Sequence, residues 1–351
     1  MLIKLKLIIL TFICAVCLSD SVVKVGVILP LTGLASRVGQ VTLEGIKVFE
    51  KHYMDSNKLA FKFIVEDTGS INSRAVQAFK KLTEVDQVRI ILTAFGAHGM
   101  TLKPMAEAKN VLLWSFTIHP EQSTGTKFVF RHNMSIDGDV NNIERFLRDR
   151  KVKNVACLYS NEDIGVYYDK KLTALAEKLS VRYFSESVLV SETNFRTTIS
   201  KLLSQKPDML FIYLFGPNLG IAIKQARESG YSELILVGPQ LSITPEARAA
   251  AGDSLKDVWF TDIIAPDSCI EKLKLLGTQF ISPASCFPII SLELLTHSII
   301  ENRIDFSNSS DILRLASYIR NLKQFRGSFQ TVKITGDGEI IAPSVIKKAL
   351  N

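Results

Sequence analysis

Residues 22–266 switch repeatedly between short β-branched runs and amphipathic segments, with brief connections. The first round runs VVKVGVILP (22–30), AFKFIVEDT (60–68), VRIILTAF (88–95), VLLWSF (111–116) and KFVFRHN (127–133) as strands. Helical spacing of apolar residues falls between them at 41–55, 73–86 and 101–110. A second round follows, with helices at 140–151, 165–180, 195–205, 220–230 and 245–252. Its strands are at 152–160, 181–190, 208–216, 233–239 and 258–266. Strict βα alternation implies parallel sheets covered by helices on both faces. Two rounds imply an α/β chain of two doubly wound lobes, and 351 residues, 47% of them hydrophobic, suffice for two cores. Ligands on such sheets bind beyond the C-terminal ends of the strands, so the first βα loop, Pro30–Gly39, lies on a ligand-binding edge.

The N-terminus has a different character. Lys4 and Lys6 precede an apolar run, Leu7–Leu18, followed by Ser19, Asp20 and Ser21. This is the pattern of a secretory signal peptide, with 1–19 removed and cleavage after Cys17 or Ser19. The run is too short to span a bilayer, which takes ~20 residues, and no later segment reaches that length. Cys14 and Cys17 fall inside the apolar run and leave with it, and Val16 does not suit a lipid-modified Cys17. Cys157 sits in an apolar strand and reads as a core thiol, while Cys269 and Cys286 either pair in an oxidising compartment or stay free.

Past residue 266 the alternation stops. Helices are expected within 282–303 and over 311–325, and Gly336-Asp337-Gly338 signals a tight turn between two terminal strands. The net charge of +7 is dispersed, without aromatic interleaving, which argues against nucleic acid. Phosphate-loop, nucleophile-elbow, zinc-protease and dinucleotide motifs are absent. The S-x-x-K at 344–347 lacks companion motifs and falls in a C-terminal helical reading. No enzyme, cofactor or metal site is expected: His98 and His119 lack a third ligand at suitable spacing, and His52, His132 and His297 read as structural.

The order VGVILPLTG, GIAIKQARESGY, LVGPQ and FRGSFQTVKITGDGEIIAPSVIKKA resembles the branched-chain amino-acid-binding proteins of the periplasm. These are the type I solute-binding proteins of ABC importers, and the resemblance spans about 22–348. It implies two Rossmann-like lobes joined by three hinge crossings, with lobe one at 22–136 and 262–325 and lobe two at 137–261 and 326–351. It further implies a periplasmic monomer that closes on a small polar or anionic solute, an amino acid or a related carboxylate or amide, and delivers it to an inner-membrane ABC permease. The alternative on the same fold is a sensor or regulator with a degenerate cleft and a protein partner.

By the same resemblance, Leu31–Gly39, Phe95–Met100 and Ser115–His119 converge on the ligand, with Gly33 permitting the first loop's turn. Gly96, Ala97 and His98 stand where the family has a hydroxyl residue, leaving backbone N–H groups to hold a carboxylate. Ser115 and Thr117 supply hydroxyls, Phe116 faces the cleft and Trp114 the core. Phe215 replaces a common tyrosine, and neutral Gln240 replaces a carboxylate that holds an α-ammonium. Arg37, His98 and His119 suit an anion, although Arg37 also reads as a solvated rim charge. Asp163 either faces the cleft or caps the following helix. The departures together argue against a standard zwitterionic amino acid, since a buried ammonium without its carboxylate is costly.

Overall fold

Strands β3 (Ile90–Ala94), β4 (Leu112–Phe116) and β5 (Val129–Asn133) are buried at every position. Burial at every position is what a sheet covered on both faces shows, and in β5 it extends to Arg131, His132 and Asn133. The computed structural model describes residues 22–54, 59–239 and 244–349, so the signal segment and Gln240 lie outside the described residues. With β1 (Val22–Leu29), β2 (Ala60–Asp67) and β13 (Glu339–Ile341), these strands make an all-parallel sheet of order β13-β5-β4-β3-β1-β2. Helices α1 (Ser36–His52), α2 (Asn72–Lys80) and α3 (Gly96–Lys109) connect the first four.

The chain then crosses to a second lobe through α4 (Ile136–Asp149). There β6 (Asn154–Ser160), β7 (Arg182–Val188), β8 (Met209–Tyr213), β9 (Leu234–Pro239) and β10 (Val258–Ile263) alternate with α5 (Asp163–Leu179), α6 (Arg196–Leu203), α7 (Gly216–Glu228) and α8 (Pro245–Ala251). The order is β14-β10-β9-β8-β6-β7, with only the last strand of the chain, β14 (Ser344–Lys348), antiparallel. Two doubly wound lobes are therefore present, as the alternation implies.

Between β10 and β13 the chain returns to lobe one. It adds α9 (Asp267–Leu275), α10 (Cys286–Glu301), α11 (Ser309–Asn321) and a small ribbon of β11 (Gln324–Arg326) and β12 (Thr331–Lys333). The segment Pro283–Glu301 is long and apolar enough to cross a membrane, contrary to the sequence reading, but 78% of it is buried. It packs on α1 as the core helix of lobe one, which explains its all-round apolarity.

The C-terminal expectation needs correction. The tight turn exists, with Gly338 N–H donating to the Thr335 carbonyl (2.9 Å) and Gly338 at φ 73°. Its flanking strands do not form a hairpin, however: β12 pairs with β11, and β13 joins β5 in lobe one. Only β14 belongs to lobe two, and residues 344–347 are strand rather than helix. Ile340 and Ala342 bury in the lobe-one core, which decides the placement. Helices α1 and α3 also begin a turn earlier than periodicity predicts. Their first turns carry small or polar residues that meet the cleft, so the apolar rhythm starts late.

Cys269 and Cys286 form a buried disulfide joining α9 to α10, and Cys157 is a buried free thiol whose pKa burial raises. The bridge spans 17 residues of chain, so replacing both cysteines by alanine should cost about 3 kcal/mol. Urea unfolding of the double variant checks this, and an unchanged midpoint would show that α9 packs as well without it.

Candidate functional site

The C-terminal ends of β1, β3 and β4 face those of β6, β8 and β9 across a cleft. A narrow cavity of about 50 Å³ remains between them. Lobe one contributes Val38, Phe95, Gly96, Phe116, Thr117, Ile118 and Asn133, and lobe two contributes Ile164, Tyr213, Phe215 and Pro239. No side chain with a formal charge lines it among the described residues.

On the lobe-one wall, α3 starts at Gly96 directly after β3. The preceding Phe95 holds φ 82°, a conformation rare for a bulky residue, and provides no side-chain cap. The first bond closing the helix runs from Gly99 N–H to the Phe95 carbonyl. The N–H groups of Gly96, Ala97 and His98 therefore have no partner within the helix and carry the positive end of its dipole. An uncapped helix start beside an apolar cavity can receive an anionic group. Behind it, His98 is fully buried, and both its ring nitrogens lack a well-formed hydrogen bond. Burial pushes its pKa down to about 4, against a contribution from the Ala94 carbonyl, so the imidazole is neutral. Ser115 Oγ and the Gln122 amide are buried and unpartnered in the same region, packed around Gly99.

On the lobe-two wall, Phe215 caps the start of α7 without a side-chain bond, and its ring meets Phe95 edge-on at 6.2 Å. Tyr213 lies two residues earlier, on the same face of the chain, and also lines the cavity. Its ring packs on Tyr168 at 5.1 Å, and the Tyr168 hydroxyl donates to Asp139 Oδ2 at 2.8 Å. Asp139 is fully buried, which pushes its carboxyl up to about 7 despite the bond from Tyr168.

The lobes touch at defined points. A Cβ on Gly96 would strike the Ile164 side chain of lobe two, and Gly216 of lobe two lies against Leu34. At the mouth, the Arg37 guanidinium stacks over Phe280 at 4.7 Å, and Glu246 of lobe two acts on it electrostatically. The crossings at 133–136, 263–266 and 341–344 are bonded to one another. Ala342 N–H donates to the Asn133 carbonyl (3.0 Å) and Ile264 N–H to the Pro343 carbonyl (2.8 Å).

Among the residues singled out from sequence, Gly96, Phe116, Thr117 and Phe215 line the cavity. Ala97, His98 and Ser115 stand behind it, on the helix and the reverse face of β4. Arg37 sits on α1 at the mouth, half-buried, neither in a loop nor in the cavity. Asp163 is exposed on α5, and the cap is Glu162, whose carboxylate accepts from Gly165 N–H at 3.2 Å. His119 is buried against Tyr167 at 4.6 Å, its Nδ1 accepting from Glu121 N–H. Of the first loop, Val38 alone reaches the cavity; Leu31 and Thr32 N–H groups are tied to Asp67 instead. Tyr213 and Ile164 were missed, though the i, i+2 spacing of Tyr213 and Phe215 within the extended run expected at 208–216 signalled the former.

Residues 22–271 match the family model described as periplasmic binding protein. The chain belongs to this family. Among solved structures, it is similar to a leucine-binding protein of Thermotoga maritima, at 21% identity and TM-score 0.85, over 94% of this chain and 96% of that one. It is also similar to a branched-chain amino-acid transporter substrate-binding protein of Streptococcus pneumoniae in complex with isoleucine (14% identity, TM-score 0.80, 94% and 96% covered). A third is an ABC-transporter solute-binding protein of R. palustris in complex with 4-hydroxybenzoate (16% identity, TM-score 0.81, 94% of each chain). No curated protein matches the chain in a sequence search. The family and its neighbours have a general solute-binding role, and the resemblance to branched-chain amino-acid-binding proteins stands.

Two outcomes follow from this geometry. Gly96→Ala should hinder closure at Ile164, raising the radius of gyration in solution scattering while changing unfolding stability by under ~1 kcal/mol. An unchanged scattering curve would show that Ile164 turns aside. For Asp139, the folded state holds a proton up to about pH 7 that the unfolded state has released. Stability then falls as pH rises from ~4 to 7, by up to ~1.4 kcal/mol per unit, and is flat above. Asp139→Asn keeps an acceptor for Tyr168, so its stability relative to wild type should climb over that window and level off above it. Parallel curves from urea melts at stepped pH would contradict the assignment.

Proposed function

We propose that the chain is an exported solute-binding protein that captures a small apolar carboxylate between its lobes and presents it to an inner-membrane ABC permease. The observation that carries this reading is the composition of the cleft. Phe95, Phe116, Phe215 and Ile164 form an apolar enclosure against the uncapped start of α3, with no carboxylate among the described lining residues. The helix start and the Thr117 hydroxyl receive the anionic head, and the rings receive the body. An α-ammonium finds no counter-charge there, and burying one unpaired is expensive. The 4-hydroxybenzoate-bound neighbour and the isoleucine-bound neighbour both hold ligands that carry a carboxylate, which supports an anionic head. The present closed cavity has room for only a few waters, so entry requires the lobes to part at the three crossings. Ligand then stabilises the closed form by its greater affinity for it. The N-terminal signal pattern and the disulfide support export to an oxidising compartment, the periplasm.

That same small volume favours a second reading, a periplasmic regulator whose cleft no longer binds solute and whose partner is a protein. A thermal-shift screen of residues 20–351 separates the two. The panel holds aromatic acids, branched 2-oxo acids, branched-chain amino acids and short amides. At a hundredfold excess over its dissociation constant, a ligand adds about 2.7 kcal/mol. Aromatic or 2-oxo acids should raise the midpoint and their amides should not. A stronger shift with leucine or isoleucine would overturn the carboxylate reading, and no shift with any compound would move the assignment to the regulator.

A further inference from the structure

A second recess lies at the far end of lobe one. Helix α1 starts at the cleft and runs back along the sheet, so its C-cap, Tyr53, comes near the edge where β1 and β2 begin. There a cavity of about 350 Å³ opens between Tyr53, one face of α10 and the turn joining β11 to β12. That volume is in the range of small-molecule sites and several times that of the cleft. Glu293, His297 and Ile300 share the α10 face at helical spacing, and Phe325 and Arg326 face them from the ribbon.

We propose that this recess binds small zwitterions that carry an ammonium and a carboxylate group. Glu293 is its fixed anion. It accepts from the Ser328 N–H at 3.0 Å and from the Ser328 hydroxyl, and Gly327 lets the turn approach: a Cβ there would lie 2.8 Å from Glu293 Oε2. A carboxylate offers about four lone-pair sites, so Ser328 leaves two for a ligand. The surroundings favour a cation beside it. Helices α1 and α10 both end at this side of the lobe and direct the negative ends of their dipoles toward it. The ring of Phe325 packs on His297 at 5.6 Å, and Tyr53 closes the side, so aromatic rings line the recess beside the carboxylate. The Tyr53 hydroxyl, which lines the same recess, titrates above its usual range through burial and the charge of Glu293. Arg326 supplies the opposite charge at the rim, its Nη1 donating to Thr331 Oγ1 at 3.3 Å on the solvent side. One anion and one cation across a small aromatic-walled space match a zwitterion better than a simple amine or acid. The site shares no residue with the cleft and does not depend on what the cleft holds.

The test uses the mature chain, with γ-aminobutyrate and glycine betaine as zwitterions, choline as cation and acetate as anion. Binding is followed by chemical-shift changes of the Gly327 and Ser328 amides. The zwitterions should saturate these signals in the millimolar range or below, and acetate should not. Glu293→Gln keeps an acceptor for Ser328 and should weaken zwitterions and choline by about tenfold or more. Arg326→Gln, at an exposed position, should weaken the zwitterions and leave choline unchanged. Phe215→Ala, in the cleft, should alter none of these titrations. Saturation by acetate alone, absence of any saturable shift, or wild-type affinity in both Glu293→Gln and Arg326→Gln would overturn the proposal.

Discussion

Arg131 is the interaction on which the two-lobe arrangement rests. Its side chain is fully buried, yet it makes four hydrogen bonds to three acceptors. Nε and Nη2 donate to Glu339 Oε1 at 3.0 and 2.8 Å, and Nη1 donates to the Thr117 carbonyl at 3.2 Å and the Met134 carbonyl at 2.8 Å. Burial lowers the guanidinium pKa and Glu339 counters it, which is the balance a buried charge needs. One planar group thus joins β5, the distant strand β13, the loop that lines the cleft, and the first crossing. Lysine has neither the fork nor the five donors for this. Because Glu339 draws β13 onto lobe one, the chain has only Ala342 and Pro343 left before β14 pairs in lobe two. The third crossing is short for that reason, and it lies beside the other two.

A short, cross-bonded hinge between separately packed lobes is what closure requires. The first lobe's sheet has its own apolar layers on both faces, and so does the second's. Ile118 is one of the few side chains that pack against cores of both lobes, and it borders the cleft. Elsewhere the lobes meet through single points such as Gly96 on Ile164 and Phe95 on Phe215. Contacts of that kind stabilise closure modestly, so a ligand that adds contacts to both walls can shift the balance.

Much of this was legible in the chain. The β-branched runs at 22–30 and 88–95 announced buried parallel strands, and the GDG turn at 336–338 was found in its place. What failed had physical causes. Periodicity tracks apolar burial, so it missed the first turns of α1 and α3, where the cleft replaces the core as neighbour, and moved Arg37 and His98 into loops. It also preferred a local hairpin at the C-terminus, because nothing in TVKITGDGEII reports that Arg131, some two hundred positions earlier, awaits Glu339. Asp163 against Glu162 is an ambiguity between neighbours that only backbone direction resolves. Pairing of Cys269 with Cys286 likewise depends on how α9 and α10 pack.

Several buried polar atoms without partners lie behind the lobe-one wall of the cleft. His98, Ser115 and Gln122 bury polar atoms without partners, and Phe95 holds a backbone angle that favours glycine. Unmet buried polar atoms typically cost ~1–3 kcal/mol each, and strained residues a similar amount. Lobe two has fewer such atoms, Asp139 Oδ1, Glu162 Oε2 and Thr261 Oγ1, and there the Tyr213 ring packs on Tyr168, whose hydroxyl donates to Asp139 Oδ2. The asymmetry fits a division of labour. Lobe one leaves the N–H groups at the start of α3 without partners inside the helix, and lobe two meets that wall with the rings of Tyr213 and Phe215. Were the cleft merely a packed interface between lobes, apolar residues at 98, 115 and 122 would serve better, and glycine would serve better at 95.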